Sequence, residues 1–249
     1  FERWDEARKI SVQFWPQGEG DLRMQNPYWI AYRNLRLNQK KRYMLSAQLS
    51  YDITDWLNIS GRVRVDNTHT KYEQKLYASS NLTITEESTQ GHYTISKPDE
   101  TQTYADVLAN INKRFNDFSL VANVGASIVN NRYEDLSYRG PIREKGIPNV
   151  FNVFDLDNTK KKARQDEWQE QTQSIFASVE VGWKSMLYLT LTGRNDWFSA
   201  LSYKGKTSPN HIFYPSVGLG FILSEAIQMP SWFPYLKLRG SWAQSGGAV

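Results

Sequence analysis

Apolar and polar residues alternate with a period of two along most of the chain, a pattern typical of β-strands whose two faces meet different surroundings. The alternation runs through Tyr43–Ile53, restarts after a short break over 57–66, and returns over 105–130, 174–194 and 213–244. The first two of these ranges together predict a strand, a turn and a return strand, and each of the other three ranges predicts the same arrangement. Together they predict about eight strands of roughly ten residues, near the length with which a tilted strand crosses a bilayer.

The connections between the predicted strands alternate in length. The turns within hairpins are very short and lie at Asp55, Asn116–Asp117 and Lys184–Ser185. Long polar stretches separate the hairpins: Asn67–Thr103, Tyr133–Glu170 and Asn195–His211. Short turns at one end and long loops at the other are typical of outer-membrane barrels. A soluble sandwich rarely needs three loops of this size.

Composition narrows the class of protein further. With 30 Lys and Arg against 26 Asp and Glu, the net charge of +4 is too small and too scattered to indicate nucleic-acid binding. A mean hydropathy of −0.61 and the lack of any long apolar run exclude a bundle of membrane helices. The chain is nevertheless rich in aromatic residues, with 11 Phe, 9 Trp and 14 Tyr. That combination suits a sugar-binding β-protein or a membrane barrel with aromatic girdles.

Residues that carry catalytic chemistry are scarce. The chain has no cysteine, and its three histidines, His69, His92 and His211, lie far apart without neighbouring ligands. No nucleophile elbow, phosphate-binding loop or dinucleotide fingerprint occurs. We therefore predict no enzymatic activity, no catalytic residue, no cofactor and no metal site.

Several segments resemble SusC-type (SusC/RagA) TonB-dependent outer-membrane transporters. Leu191–Ser199 (LTGRNDWFS) resembles the strand-to-loop signature of that family, and Phe213–Val217 (FYPSV) resembles its next strand. Leu236–Gln244 (LKLRGSWAQ) is similar to the strand after that. Asn26–Trp29 (NPYW) and Tyr51–Leu57 (YDITDWL) fit the earlier part of the same barrel region.

The resemblance implies an all-β fold: about eight strands of a larger antiparallel transmembrane β-barrel of about 22 strands. Residues 1–249 would all belong to the barrel domain, and the plug and N-terminal domains would be absent from this chain. Charged residues predicted on the inner face agree with a wide, wet lumen, because a closed eight-stranded barrel would bury them. These residues are Arg62, Arg64, Asp66, Arg114, Glu180, Arg194, Lys237 and Arg239.

The resemblance also implies a function and partners. The protein would actively import oligosaccharides or peptides across the bacterial outer membrane, with a SusD-type surface lipoprotein as a lid. TonB, ExbB and ExbD would act through segments that this chain lacks, and lipid would surround the wall. Two alternatives stay open: a passive small barrel or structural outer-membrane protein, and a soluble β-rich carbohydrate-binding module.

Aromatic residues in the predicted extracellular loops are the candidates for ligand contact, because flat rings stack on sugars and grip apolar side chains. The predicted ligand-binding residues are Tyr28, Trp29, Trp168, Trp197, Phe198 and Tyr203. The densest basic run, Lys160–Lys162 with Arg164, is either a solvated loop or a contact with lipopolysaccharide phosphates. The choice between glycan and peptide is not fixed by the sequence.

Overall fold

The computed structural model of the chain describes residues 1–15, 25–202 and 210–247. The described strands are β1 (Glu2–Asp5), β2 (Ile10–Gln13), β3 (Asn34–Thr54), β4 (Leu57–Tyr77), β5 (Gly91–Ser96), β6 (Asp99–Phe115), β7 (Phe118–Pro141), β8 (Lys162–Trp183), β9 (Leu187–Phe198), β10 (His211–Ile222) and β11 (Lys237–Ala243). Two short helices, α1 (Pro27–Arg33) and α2 (Leu223–Ala226), and a 3₁₀ turn at Ser199–Leu201 complete the described elements. Neither of these α-helices is long and apolar enough to span a membrane.

Nine of the strands form one antiparallel sheet in which neighbours along the chain are neighbours in space. Its order is β3, β4, β5, β7, β8, β9, β10 and β11, and β6 also pairs with β4 and β7. β5 and β6 therefore share one position in the sheet, separated by Lys97 and Pro98. Proline has no N–H to donate to a neighbouring strand, which accounts for the interruption. The sheet has eight strand positions, as the sequence predicted.

The predicted short turns lie where the alternation placed them. Asp55 and Trp56 join β3 to β4, and Asn116 and Asp117 join β6 to β7. Asn116 has a φ of 50°, a left-handed conformation that asparagine tolerates better than most residues. The turns position each strand antiparallel to the one before it.

The prediction of ten-residue strands and long loops was wrong in one respect. β4 continues to Tyr77, β7 continues to Pro141 and β8 begins at Lys162, so much of the first two predicted loops is strand. Beyond the bilayer both faces of a strand contact polar surroundings, and the two-residue alternation that reveals a strand is lost. Sequence periodicity therefore detects only the part of a strand that has lipid on one face and water on the other.

The chain divides into two compact units. The first unit contains residues 1–43, 67–100 and 133–168. Almost all buried apolar side chains of the described residues belong to it. They are Ile10, Val12, Trp29, Leu76, Ala78, Tyr93, Ile142 and Leu156. Ile10 and Val12 of the N-terminal hairpin pack against Ala78. This unit is stabilised as a water-soluble domain is, by an apolar core.

The second unit contains residues 44–66, 101–132 and 169–249. Ala122 is its one member of the buried apolar set in the described part of the chain. Large apolar side chains are instead exposed, among them Leu45, Leu49 and Tyr51, which are 72%, 83% and 74% exposed. A soluble sheet protein would bury one face under a second layer. A sheet with an apolar face and no layer over it is what a membrane wall requires.

Candidate ligand-binding surfaces

Polar side chains of the second unit bond to one another across the strands β4, β6 and β7. Arg62 donates from Nε to Asp106 Oδ2 at 2.8 Å, and Arg64 donates to Gln102 Oε1 at 3.1 Å. Gln102 in turn donates to Asn131 Oδ1 at 2.9 Å. These contacts show that Arg62 and Arg64 lie on the polar face, as the alternation predicted. We call these bonded side chains the polar ladder. They leave one face of the sheet polar and charged.

Tyr104 is a member of this polar face that sequence reasoning missed. The guanidinium carbons of Arg62 and Arg64 lie 5.2 and 5.3 Å from the centre of its ring. Contacts of this kind hold two arginines side by side despite their like charges, because the ring face is negative. Tyr104 is separated from Asp106 by one residue on β6, so the alternation itself could have placed it on this face.

The polar face continues over β8 to β11 of the same unit. Glu180 accepts a hydrogen bond from Thr190 at 3.2 Å, and the Lys237 ammonium lies 5.6 Å from the centre of the Tyr188 ring. These residues border an open cleft of about 550 Å³. Its floor contains Gly218, Gly220 and Gly240, at which an added Cβ would meet no atom closer than 3.7 Å. The cleft is therefore a shallow surface that another polar chain could contact.

A close contact between β7 and β8 fixes the spacing of these strands. A Cβ at Gly125 would lie 2.7 Å from the Phe176 ring and 2.8 Å from the Val107 carbonyl oxygen. Only glycine leaves room for the ring to lie flat against the neighbouring backbone. The Arg194 guanidinium lies over the same ring at 5.7 Å and donates to Ser174 Oγ at 3.0 Å.

Two of the predicted ligand-binding residues lie on α1 and have different environments. The helix begins at Pro27 after Asn26, whose side chain accepts from the Tyr28 N–H at 3.0 Å. Tyr28 is 64% exposed, and its ring lies 6.2 Å from that of Phe1. Trp29 is completely buried, and its indole N–H donates to Ser80 Oγ at 3.0 Å. The structure gives Trp29 a packing role, whereas Tyr28 is accessible to a ligand.

Trp197 and Phe198 end β9 in the second unit. Trp197 shares its strand face with Leu189 and Leu191, which are exposed apolar residues, and its ring lies 6.5 Å from that of His211. With Phe198 it borders a cleft of about 350 Å³ whose other lining residues are Gln171, Gln173, Ser199, Ser202 and Asn210. Trp197 thus has the position of an interfacial aromatic at the margin of the apolar face. Tyr203 lies outside the described residues.

Trp168 lies on β8, in the first unit, and not in a loop. Its ring stacks on that of Tyr133 on β7, with centroids 5.6 Å apart and planes inclined by 13°. Trp168 remains 47% exposed. Among the predicted residues that the structure describes, Trp168 is the one in an exposed stacked pair on the main sheet.

A buried acid–phenol pair stabilises the first unit and was not anticipated from the sequence. Tyr93 donates to Glu73 Oε1 at 2.7 Å, and both residues are buried. The hydrogen bond and ion pair with Lys71 at 2.8 Å, with a further contribution from Tyr93, lower the pKa of Glu73. Burial, followed by the bond to Glu73, raises the pKa of Tyr93 well above its ordinary value. Nothing in the sequence signals this pair, because β4 and β5 meet only through their register.

The basic run Lys160–Lys162 contacts acidic residues of the same unit. Lys160 lies 3.6 Å from Glu87, and Lys162 lies 3.6 Å from Glu86. Glu86 and Glu87 have φ values of 52° and 67°, so both lysines contact residues in the left-handed region of the backbone. Glu86 also lies 3.7 Å from His92, whose pKa is lowered chiefly by burial. Lys160 and Lys162 are therefore paired with carboxylates of their own unit.

Metal-binding side chains do not cluster in the part of the chain that the structure describes, where no group of three His, Asp or Glu residues could hold an ion.

Comparison with known proteins places the chain among outer-membrane receptors. The family described as "TonB dependent receptor-like, beta-barrel" matches residues 1–248. TonB-dependent receptor P26 of Formosa agariphila is 33% identical over 97 residues, which are 38% of this chain and 9% of that receptor. The predicted fold, part of an antiparallel β-barrel, is confirmed by the family match.

Solved structures share the fold at low sequence identity. The RagAB peptide transporter gives a TM-score of 0.75 with 15% identity, over 88% of this chain and 24% of the RagAB chain. The RagAB peptide importer in its "open-open" state gives a TM-score of 0.73 with 17% identity over the same shares. The chain therefore spans about a quarter or less of the length of the proteins it matches.

Proposed function

The chain belongs to the TonB-dependent receptor β-barrel family of the outer membrane, and on this premise we propose that its protein actively imports oligosaccharide or peptide nutrients. The family consists of receptors and transporters, in agreement with the prediction that the protein is not an enzyme. A soluble carbohydrate-binding module is no longer a candidate, because the chain is part of an outer-membrane barrel.

The two unlike faces of the second unit carry the proposal. One face presents apolar side chains such as Leu49 and Leu191 without a covering layer. The other presents bonded polar groups such as Arg62 with Asp106 and Glu180 with Thr190. A wall of this kind separates lipid from a polar lumen through which a hydrophilic nutrient can pass.

The free edges of the sheet support a larger barrel. β3 and β11 each have a neighbour on one side only in the described part of the chain. Unpaired backbone groups cannot face hydrocarbon, so both edges require further strands of the wall. We propose that these strands complete a barrel of about 22 strands, and that a plug occupies its lumen.

A surface lipoprotein of the SusD type is the proposed partner on the outer side. The resemblance of the sequence to SusC-type transporters supports it, as does the fold shared with RagAB, which is a peptide transporter. TonB, ExbB and ExbD would supply energy through segments outside this chain. Tyr28, which is exposed on α1, is the residue that we propose contacts ligand or lid.

Uptake by cells tests the import function. A strain without the full-length gene should lose uptake of radiolabelled peptides or oligosaccharides, and a strain without TonB should lose it equally. Uptake that survives the loss of TonB would instead identify a passive barrel. Co-purification of a lipoprotein with the tagged full-length protein tests the lid separately, and its absence under mild detergent conditions would contradict that part of the proposal.

A further inference from the structure

The stacked rings of Tyr133 and Trp168, which we call the aromatic platform, are open to a ligand. The ring of Tyr133 covers one face of the indole, at 5.6 Å between centroids. Almost half of the Trp168 surface, 47%, remains exposed. A large exposed aromatic surface on a rigid strand is a low-entropy site for binding.

The platform projects from one particular face of its strand. Tyr133 lies two residues after Asn131 on β7, and alternate residues of a strand project to the same side. Asn131 accepts a hydrogen bond from Gln102, a member of the polar ladder. The side chain of Tyr133 therefore projects from the polar side of β7 and not from its apolar side.

Carboxylates outnumber cations around the platform. Burial raises the pKa of Tyr133, and the negative charges of Asp135, Asp166 and Glu100 raise it further, while Arg164 opposes them. Arg164 is bonded to Asp166, from Nε to Oδ2, at 2.5 Å. Arg164 is thus paired with Asp166, and Asp135 and Glu100 add negative charge that acts on Tyr133.

The other hydrogen bonds of this site leave that charge in place. Asp135 accepts from the Ser96 hydroxyl at 2.8 Å and from the Lys97 backbone N–H at 3.1 Å. Both donors are neutral groups, so they orient the carboxylate without cancelling its charge. A cation arriving at the platform would meet an oriented carboxylate beside an aromatic face.

A purely structural role for the pair is the alternative. Cross-strand aromatic pairs stabilise the sheet, and Tyr133 with Trp168 holds β7 against β8 in any case. Packing alone does not explain why a large ring stays half exposed amid negative charge. The same two features are what an aromatic site for a cation combines.

We propose that the aromatic platform binds a positively charged side chain, lysine or arginine, of a peptide substrate. This inference rests on the proposed import function and selects peptides from the two nutrient classes. The cation would lie over the exposed indole, with Asp135 and Asp166 beside it. A neutral glycan could stack on the ring but would gain nothing from the carboxylates.

Binding to the purified full-length transporter tests the platform. The probes are three fluorescent hexapeptides that differ at one residue, which is arginine, citrulline or glutamate, and a neutral oligosaccharide competitor. Citrulline keeps the shape of arginine and removes its charge. The variants are Trp168→Leu, Trp168→Phe and Asp166→Asn, and Trp232→Leu is the matched control because Trp232 is 83% exposed elsewhere in the chain.

The arginine peptide should bind the wild type more tightly than the citrulline peptide, and less tightly as salt is added. Trp168→Leu should weaken binding of the arginine peptide roughly 2- to 30-fold, and the affinity of Trp168→Phe should lie between those of the wild type and Trp168→Leu. Asp166→Asn should reduce the difference between arginine and citrulline, and Trp232→Leu should behave as wild type. Heat-modifiable migration on gels checks that each variant is folded, and Trp168→Phe retains a ring for the stack.

Two binding results would overturn the inference. The first is that the wild type binds the arginine peptide and the citrulline peptide with equal affinity. The second is that Trp168→Leu loses competition by the oligosaccharide but still binds the arginine peptide as the wild type does. In cells, uptake of every nutrient class that stays unchanged when the full-length gene is deleted would refute the import function itself. Unchanged uptake of arginine peptides by the folded Trp168→Leu strain would refute the platform alone.

Discussion

Replacing Trp29 with alanine should loosen the first unit around α1. Trp29 is completely buried, and its indole N–H donates to Ser80 Oγ, which itself donates to Asn34 Oδ1 at 2.8 Å. Truncating a buried tryptophan to alanine costs about 3–5 kcal/mol, from lost transfer energy and from the cavity left behind. We expect the free energy of local unfolding of this region to fall by that amount.

Hydrogen exchange of the full-length transporter in detergent measures this loss. A change of 1.4 kcal/mol corresponds to a factor of ten, so amides of α1 and of the segment 78–90 should exchange roughly two to four orders of magnitude faster. The Ile30 amide, which is bonded to the Asn26 carbonyl at 3.0 Å, is a suitable probe. Trp29→Phe keeps most of the buried ring but removes the donor, and should cost about 1–3 kcal/mol.

The two variants separate packing from ligand contact. If Trp29 only packs, Trp29→Phe should speed exchange and leave the ligand affinity of the folded protein unchanged. Ser80→Ala serves as the control, because it removes the acceptor of the indole N–H, together with the bond to Asn34, without touching the ring. Unchanged exchange in Trp29→Ala, or reduced ligand affinity in Trp29→Phe with wild-type exchange, would refute the reasoning.

Four further predictions concern both units. Tyr93→Phe should lower the free energy of unfolding of the first unit by about 1.5–3 kcal/mol, because it leaves the buried Glu73 carboxylate short of a donor. Folding lowers the pKa of Glu73, so its carboxylate stabilises the first unit at pH values above the unfolded pKa, and this stabilisation is lost as the pH falls through the folded pKa. Glu73→Gln should make the stability of the first unit less dependent on acid pH, which hydrogen exchange measured against pH would show. Gly125→Ala should lower the free energy of unfolding by about 1–3 kcal/mol, because the added methyl group would collide with Phe176. The temperature at which heating changes the gel mobility should fall, and an unchanged temperature would contradict the prediction. Leu49→Arg should lower the free energy of unfolding by about 2–4 kcal/mol, because it places a charge on the apolar face, and should reduce the folded fraction. Leu49→Ala should fold as wild type.

The alternation of the sequence predicted the part of the fold that the bilayer constrains. Residues such as Leu49 and Arg62 have to project to opposite faces, because one face meets lipid and the other meets water. That requirement places a two-residue period in the sequence, and with it the strands and their short turns. The same requirement ends where the strands leave the bilayer, so no periodic pattern indicates that β7 continues to Pro141 or that β8 begins at Lys162.

Composition marked aromatic residues as candidates for ligand contact without separating their roles. Trp29 is buried, Trp197 lies on the apolar face of β9, and Trp168 forms an exposed stack. These outcomes depend on which residues of distant segments become neighbours. The partner of Trp29 is 51 residues away in the chain, and no local pattern encodes that distance.

Periodicity in the sequence predicted the class of protein and the number of strand positions, because lipid imposes a periodic pattern that any single segment displays. The resemblance to a family came from short motifs such as Leu191–Ser199. Only the folded chain shows which polar groups bond across the wall, which aromatics are accessible, and where Glu73 meets Tyr93. Those pairings arise from the register between strands, which is a relation between segments and is written in neither of them alone.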